Sequence, residues 1–167
     1  MSRSMSDRRA DPSPDRPPRP ARPTLAELGR AHADLLPVIA VGGALGSLAR
    51  WGLAEAWPHR SGFPFATFVT NLSGALLLGM LMALMLGPLS HTRYLRPFLG
   101  VGVLGGYTTF STYQLETRGL LAAGEVGTAA LYLFGSVALG LVAVFAGLSL
   151  GRLLIRANTY RNRLENR

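Results

Sequence analysis

The sequence predicts an all-α membrane protein of four transmembrane helices, with an irregular third span. Three observations carry this. Four segments reach or approach the roughly 20 mostly apolar residues a membrane helix needs. The charges are segregated into tails and loops. The third apolar segment concentrates glycine and threonine where the others do not. The chain of 167 residues is 49% hydrophobic and 16% charged, against about a quarter charged in soluble domains, and its mean hydropathy is +0.26. A soluble helical bundle would carry polar stripes along its helices, and the second and fourth segments lack them.

Residues 1–34 form a basic tail. Its stretch DPSPDRPPRPARP at 11–23 is rich in proline and arginine, cannot bury a core, and reads as disordered. It also lacks the apolar core of a cleavable signal. Thr24 with Glu27 three residues later offers a weak capping box for a short helix over 24–33. A four-span domain follows at 35–153. Its spans run from about Leu35 to Trp57, Phe65 to Leu86, Pro97 to Leu121 and Val126 to Leu150, joined by WPHRSGFP, GPLSHTRYLR and a few residues around Gly124 and Glu125. Residues 154–167 form a basic C-terminal tail.

The net charge is +8, and all 17 basic residues are arginine. Basic tails beside apolar spans fit anionic lipid and membrane orientation, not nucleic acid. Cysteine is absent, which excludes disulfides, thiolate metal sites and cysteine nucleophiles. His32, His59 and His91 lie outside the spans and are too scattered for a metal or catalytic cluster. Nothing in the sequence points to an enzyme.

The third span, VGVLGGYTTFSTYQLE, places Gly100, Gly102, Gly105 and Gly106 before Thr108, Thr109, Ser111 and Thr112. Glycine costs about 1 kcal/mol against alanine inside a helix, and β-branched threonine is also a poor helix former. One reading is a break, tolerated at membrane depth only where protein, water or an ion satisfies the backbone. The other is a close helix crossing lined by small residues. Further polar side chains fall inside the spans. Thr67 and Asn71 share a face of the second, and Tyr132 and Ser136 share a face of the fourth. Ser111 and Thr112 offer hydroxyls, and Arg50 and Glu116 bring charge near span edges. Their plainer role is interhelical hydrogen bonding, and that of Arg50 is snorkelling to lipid phosphate.

GGALGSLARW at 42–51, FATFVTNLSGALLLG at 65–79, GVGVLGGYTTFSTYQLE at 100–116, and Tyr132 with Ser136 resemble the CrcB/Fluc fluoride channel family over residues 37–152. Ala66 stands where that family usually has glycine. The resemblance implies an antiparallel dual-topology-type dimer with two fluoride pores and a break in the third span. It also implies a structural sodium ion at the dimer interface, held by backbone carbonyls of Gly105 and Thr108. The function it implies is passive fluoride efflux across the cell membrane by a multi-pass channel subunit, lowering cytoplasmic fluoride. Phe110 resembles the first pore phenylalanine, whose positive ring edge attracts an anion weakly. Tyr113 replaces the second and adds a hydroxyl. Asn71, Thr67, Ser111, Thr112, Tyr132 and Ser136 would donate along the path, Arg50 would draw anions to a vestibule, and Glu116 would have to be protonated, paired or conformationally involved. Gly140 continues the Tyr132–Ser136 face without a hydroxyl.

A small four-span proton-coupled exporter is the competing reading. It needs a carboxylate deep in the membrane, and Glu55 near a loop and Glu116 near a span end are poorly placed for that. An assembly subunit without transport is a third reading, opposed by the polar track. Arginines crowd the side holding both tails and the loop between spans two and three, and Arg60 and Arg118 lie opposite. This bias predicts N-in, C-in insertion, and hence a partner of opposite orientation, either a paralogue or, if the bias is weak, a second copy of the chain.

Overall fold

The computed structural model describes residues 33–58, 62–87 and 92–165. The N-terminal unit Met1–His32, and with it most of the predicted tail and the short helix, lies outside the described residues. Six helical segments occur among the described residues: α1 Leu35–Ala56, α2 Phe65–Met85, α3 Pro97–Leu104, α4 Gly105–Tyr107, α5 Phe110–Ala122 and α6 Val126–Glu165. Of these, α1, α2 and α6 are long and apolar enough to cross a membrane. The third apolar segment is divided among α3, α4 and α5.

The divisions follow from local chemistry. Pro97 opens α3, where its fixed φ suits a first turn and its missing N–H costs nothing; α3 then winds as a π-helix. After α4, Thr108 (φ −78°, ψ 157°) and Thr109 (φ −146°, ψ 126°) are extended. Thr109 is the N-cap of α5: its Oγ1 accepts the Thr112 N–H at 3.2 Å, the role for which threonine before a helix is suited. At the far end of α5, Gly124 takes φ 79°. The N–H of Glu125 reaches the Leu120 carbonyl at 2.9 Å and that of Gly124 reaches Leu121 at 3.1 Å, a Schellman closure that needs the left-handed conformation glycine adopts cheaply.

Two helix pairs meet through glycine. A Cβ on Gly46 of α1 would fall on the Val103 carbonyl oxygen, and one on Gly106 of α4 on the Gly43 carbonyl. On the other pair, a Cβ on Gly79 of α2 would strike the Val144 carbonyl, and one on Gly147 of α6 the Leu76 carbonyl. Small residues let backbones approach this closely where lipid removes any hydrophobic drive for association. The glycine-lined crossing is therefore present, at Gly102 and Gly106, directly before the extended threonines. Between the pairs, α5 packs on α6 around Tyr113, Leu120, Ala129 and Tyr132. Leu104 joins Leu81 and Met85 of α2 in a second cluster.

Polar ties finish one end of the bundle. Arg96 donates to the Met85 carbonyl at 3.0 Å, closing α2. Asp34, just before α1, accepts from the Tyr94 hydroxyl at 2.7 Å and the Arg93 guanidinium at 3.0 Å. The Tyr94 hydrogen bond above all, with Arg93 beside it, holds the Asp34 carboxyl below the usual carboxylate range. The fourth span differs from its expected extent: α6 does not stop near Leu150 but carries 40 residues to Glu165. From Arg152 onward it meets neither glycine nor proline, and leucine, arginine and glutamate propagate a helix well.

Candidate functional site

The extended residues and the helical turn before them are gripped from two helices. From α2, the Asn71 amide makes a two-way contact with one residue: its Nδ2 donates to the Thr109 carbonyl and its Oδ1 accepts the Thr109 N–H, each at 2.9 Å. From α1, Arg50 Nε donates to the Gly106 carbonyl at 3.2 Å, with the Ser47 hydroxyl at 3.5 Å from the same oxygen. Ser73 shares a hydrogen bond of 2.9 Å with the Tyr107 hydroxyl. The Thr108 hydroxyl turns back to the Leu104 carbonyl at 2.9 Å. An interrupted helix exposes backbone groups that apolar surroundings cannot satisfy; here Asn71 satisfies both groups of Thr109 and Arg50 the Gly106 carbonyl, while the Leu104 carbonyl keeps the Thr108 N–H at 3.0 Å as well.

Three carbonyls are left over. Among the described residues, the Gly105, Tyr107 and Thr108 oxygens accept no hydrogen bond, and a Cβ on Gly105 would meet nothing within 4 Å. Gly105 and Thr108 border an open pocket of about 440 Å³, lined also by Asn71, Gly74, Thr109 and Phe110. No cluster of three or more His, Cys, Asp or Glu that could hold a metal occurs among the described residues.

Phe110 begins α5 at the pocket edge and is 72% exposed. Tyr113, one turn on, goes the other way. It is 6% exposed, and its hydroxyl donates to the Leu133 carbonyl at 2.6 Å, so that group is turned into α6. Rings nevertheless form a chain, from Phe110 to Tyr113 (centroids 5.9 Å), Tyr132 (5.1 Å) and Phe63 (5.3 Å). Behind it, Glu116 sits half-buried on α5, six residues before the helix ends at Ala122. It accepts from Thr67 Oγ1 at 2.8 Å and from the Tyr132 hydroxyl at 2.7 Å. Thr67 and Tyr132 are therefore a matched pair of donors to one carboxylate. Ser136 Oγ is buried with no hydrogen-bond partner among the described residues. A helical serine ordinarily returns to a carbonyl three or four residues back, and the one three back, Leu133, is taken by Tyr113. Ser111 is exposed, and Thr112 receives the Thr109 hydroxyl at 3.0 Å.

The structure thus brings Asn71, Gly105, Thr108 and Phe110 around one pocket. Thr67, Glu116, Tyr132 and Tyr113 lie on the inner side of α5. Sequence reasoning missed Ser47, Ser73 and Tyr107. For Ser47 the signal was its position three residues before Arg50 on one helical face.

A small helical membrane protein whose backbone turns non-helical beside a mostly apolar pocket bordered by Asn71, Thr108 and Thr109 fits the class that moves ions or small solutes. Residues 37–148 match the family model described as CrcB-like protein, Camphor Resistance (CrcB), and the chain belongs to that family. Its relatives include the fluoride-specific ion channel FluC of Thermus thermophilus, 51% identical over 122 residues, covering 71% of this chain and 94% of the relative. That of Paracoccus denitrificans is 48% identical over 117 residues, 68% of this chain and 91% of the relative. Fluoride-specific ion channel FluC 3 of Streptomyces avermitilis is 43% identical over 127 residues, 75% of this chain and 62% of the relative. These are channels, not enzymes.

Proposed function

We propose that the chain is a fluoride-selective channel subunit that lowers cytoplasmic fluoride by passive efflux, as a multi-pass protein of the cell membrane. The observation that carries the proposal is the Asn71 grip on Thr109, which holds Phe110 at the pocket edge in a chain related to fluoride-specific channels. Fluoride is small, hard and strongly hydrated. A path for it needs donors that replace water without trapping the ion. The positive edge of the Phe110 ring is such a group, and Ser111, Thr112 and the second N–H of Asn71 add donors beside it. Arg50 and Asn71 act here first by fixing the backbone. Tyr113, Tyr132, Thr67, Ser136 and Glu116 line the inner side of the path, where the two hydroxyl donors on Glu116 temper its repulsion of an anion.

The interruption at Thr108 and Thr109 is, in this reading, a break in one transmembrane span, and two subunits pack antiparallel across it. The free Gly105 and Thr108 carbonyls suit a hard cation such as sodium, which prefers oxygen ligands. When bound at the subunit interface, sodium would supply the positive charge that those carbonyls lack. Among the described residues, Arg93, Arg96, Arg152 and Arg156 share one end of the bundle, which favours a single N-in, C-in orientation. The partner is then an oppositely oriented paralogue; a second copy is the partner if labelling of single cysteines placed at Ser61 and His91 in intact cells proves equal.

Fluoride efflux from liposomes, compared with chloride and with a proton-coupled cation, tests the function. Rapid fluoride loss with chloride retained is expected. Equal loss of both anions refutes selectivity, and cation exchange against protons makes Glu116 the centre of an exporter.

A further inference from the structure

We infer that Gln114 and Arg118 continue the anion path outward from Ser111, forming a ladder of donors on the outer face of α5. The inference rests on the fluoride-channel reading and adds two residues to it.

The three side chains stand three and four positions apart, so they project from one face of the helix. All three are exposed, whereas Tyr113, Thr117 and Leu120 of the same helix are buried. Neither Gln114 nor Arg118 has a hydrogen bond or ion pair among the described residues, and Ser111 has only a contact of 3.4 Å with the Thr109 hydroxyl. Glu116 lies on the opposite face, held by Thr67 and Tyr132. The ladder therefore meets no carboxylate on its own helix, and its charge runs from neutral to positive towards the end of α5.

Leu115 and Leu121 of α5 are exposed beside the ladder, and the exposed surface of α6 is of another kind. It presents Leu131, Phe134, Val137, Leu141, Val142 and Phe145, a face suited to lipid. An amide in that setting would have two N–H groups and a carbonyl without partners, at a cost lipid cannot offset. Gln114 lies about 12 Å from the end of α5 at 1.5 Å per residue, too far for its short side chain to reach the headgroups. The ladder therefore places this face along a water-filled path, which runs between the subunits where the antiparallel partner packs on α5. The rise from Ser111 to Gln114 is about 4.5 Å and from Gln114 to Arg118 about 6 Å, steps that a small anion can take between donors. A neutral amide binds fluoride weakly enough to release it, and the Arg118 guanidinium raises the local anion concentration at the mouth. The plainer role for Arg118 is snorkelling to lipid phosphate, which predicts no dependence of throughput on ionic strength.

The test uses the full chain in liposomes, with wild type first. Gln114→Leu should lower fluoride throughput about tenfold, the effect of one lost donor, with the oligomer unchanged on size exclusion; Gln114→Ser should restore most of it. Arg118→Gln should lower throughput severalfold at low salt, and the difference should vanish near 1 M inert salt, where the screening length falls to about 3 Å. Wild-type throughput in a correctly assembled Gln114→Leu overturns the ladder. So does loss of the oligomer in Gln114→Leu with no conduction defect per assembled channel. A salt-independent Arg118→Gln effect removes Arg118 from it. If wild type itself passes no fluoride, the channel reading fails and the ladder with it; if wild type conducts and the variants match it, only the ladder fails.

Discussion

The glycine crossings and the extended threonines solve opposite problems with opposite means. At Gly46, Gly106, Gly79 and Gly147 two backbones touch because nothing intervenes, and any added atom lands on a carbonyl oxygen. From Gly106 to Thr109 the backbone loses helical partners, and side chains supply them: Arg50 of α1 at the Gly106 carbonyl and Asn71 of α2 at both groups of Thr109. The first arrangement is rigid because it is empty of side chains; the second is rigid because specific ones are present. The rigid crossings carry the helices that carry the grip, so the placement of Phe110 depends on both.

This difference can be broken most forcefully at the crossings. Gly46→Val or Gly147→Val should cost about 3 kcal/mol or more, the upper range for overpacking, and appear as loss of a monodisperse peak in detergent. Gly105→Ala is the matched control. Its Cβ meets nothing within the subunit, so thermal stability of the subunit should hold while fluoride throughput falls. Equal damage from Gly46→Val and Gly105→Ala would erase the distinction.

The grip is the next target. Asn71→Asp keeps the acceptor for the Thr109 N–H but loses the donor to the Thr109 carbonyl, and if ionised places a negative charge beside that oxygen. A lost buried hydrogen bond costs about 1–3 kcal/mol, and fluoride efflux at neutral pH should drop with it. Unchanged efflux would mean that the extended segment holds itself. Phe110→Ile should leave stability intact, because the ring is 72% exposed, and should cut throughput strongly by removing the positive ring edge. Normal throughput in an assembled variant would make Phe110 a packing residue. The smallest effect is expected at Tyr113→Phe. It removes one hydrogen bond to the Leu133 carbonyl, worth about 0.5–1.5 kcal/mol, and keeps the ring contacts. Conduction should persist, with a small fall in melting temperature.

The three long apolar helices were legible because apolar length is a one-dimensional signal, and Pro97 and Gly124 marked ends through backbone chemistry alone. The run of glycine and threonine left two readings open, and its residues divide between them: Gly102 and Gly106 serve the crossing, Thr108 and Thr109 the extended turn. What the side chains touch was not legible. Asn71 reads as a donor to a passing ion, and it is occupied by a peptide 38 residues away. Tyr113 reads as an aromatic with a spare hydroxyl, and that hydroxyl is committed to a carbonyl on another helix. Glu116 reads as a charge near a span end, and two donors from different helices claim it. Each depends on which faces meet in three dimensions, which spacing along one helix does not specify.

The length of α6 also fixes a distance outside the bilayer. Its 40 residues make a rod of about 60 Å, and a hydrocarbon core is about 30 Å thick. With its apolar half across a bilayer, a rod of that size would emerge past the headgroups beyond Arg156. Anything joined beyond it is held at a set height, clear of the lipid surface, and turns as one piece with the membrane-embedded half. A fluorescent reporter fused there would have little orientational freedom of its own, and its polarisation would read the tilt of the channel directly.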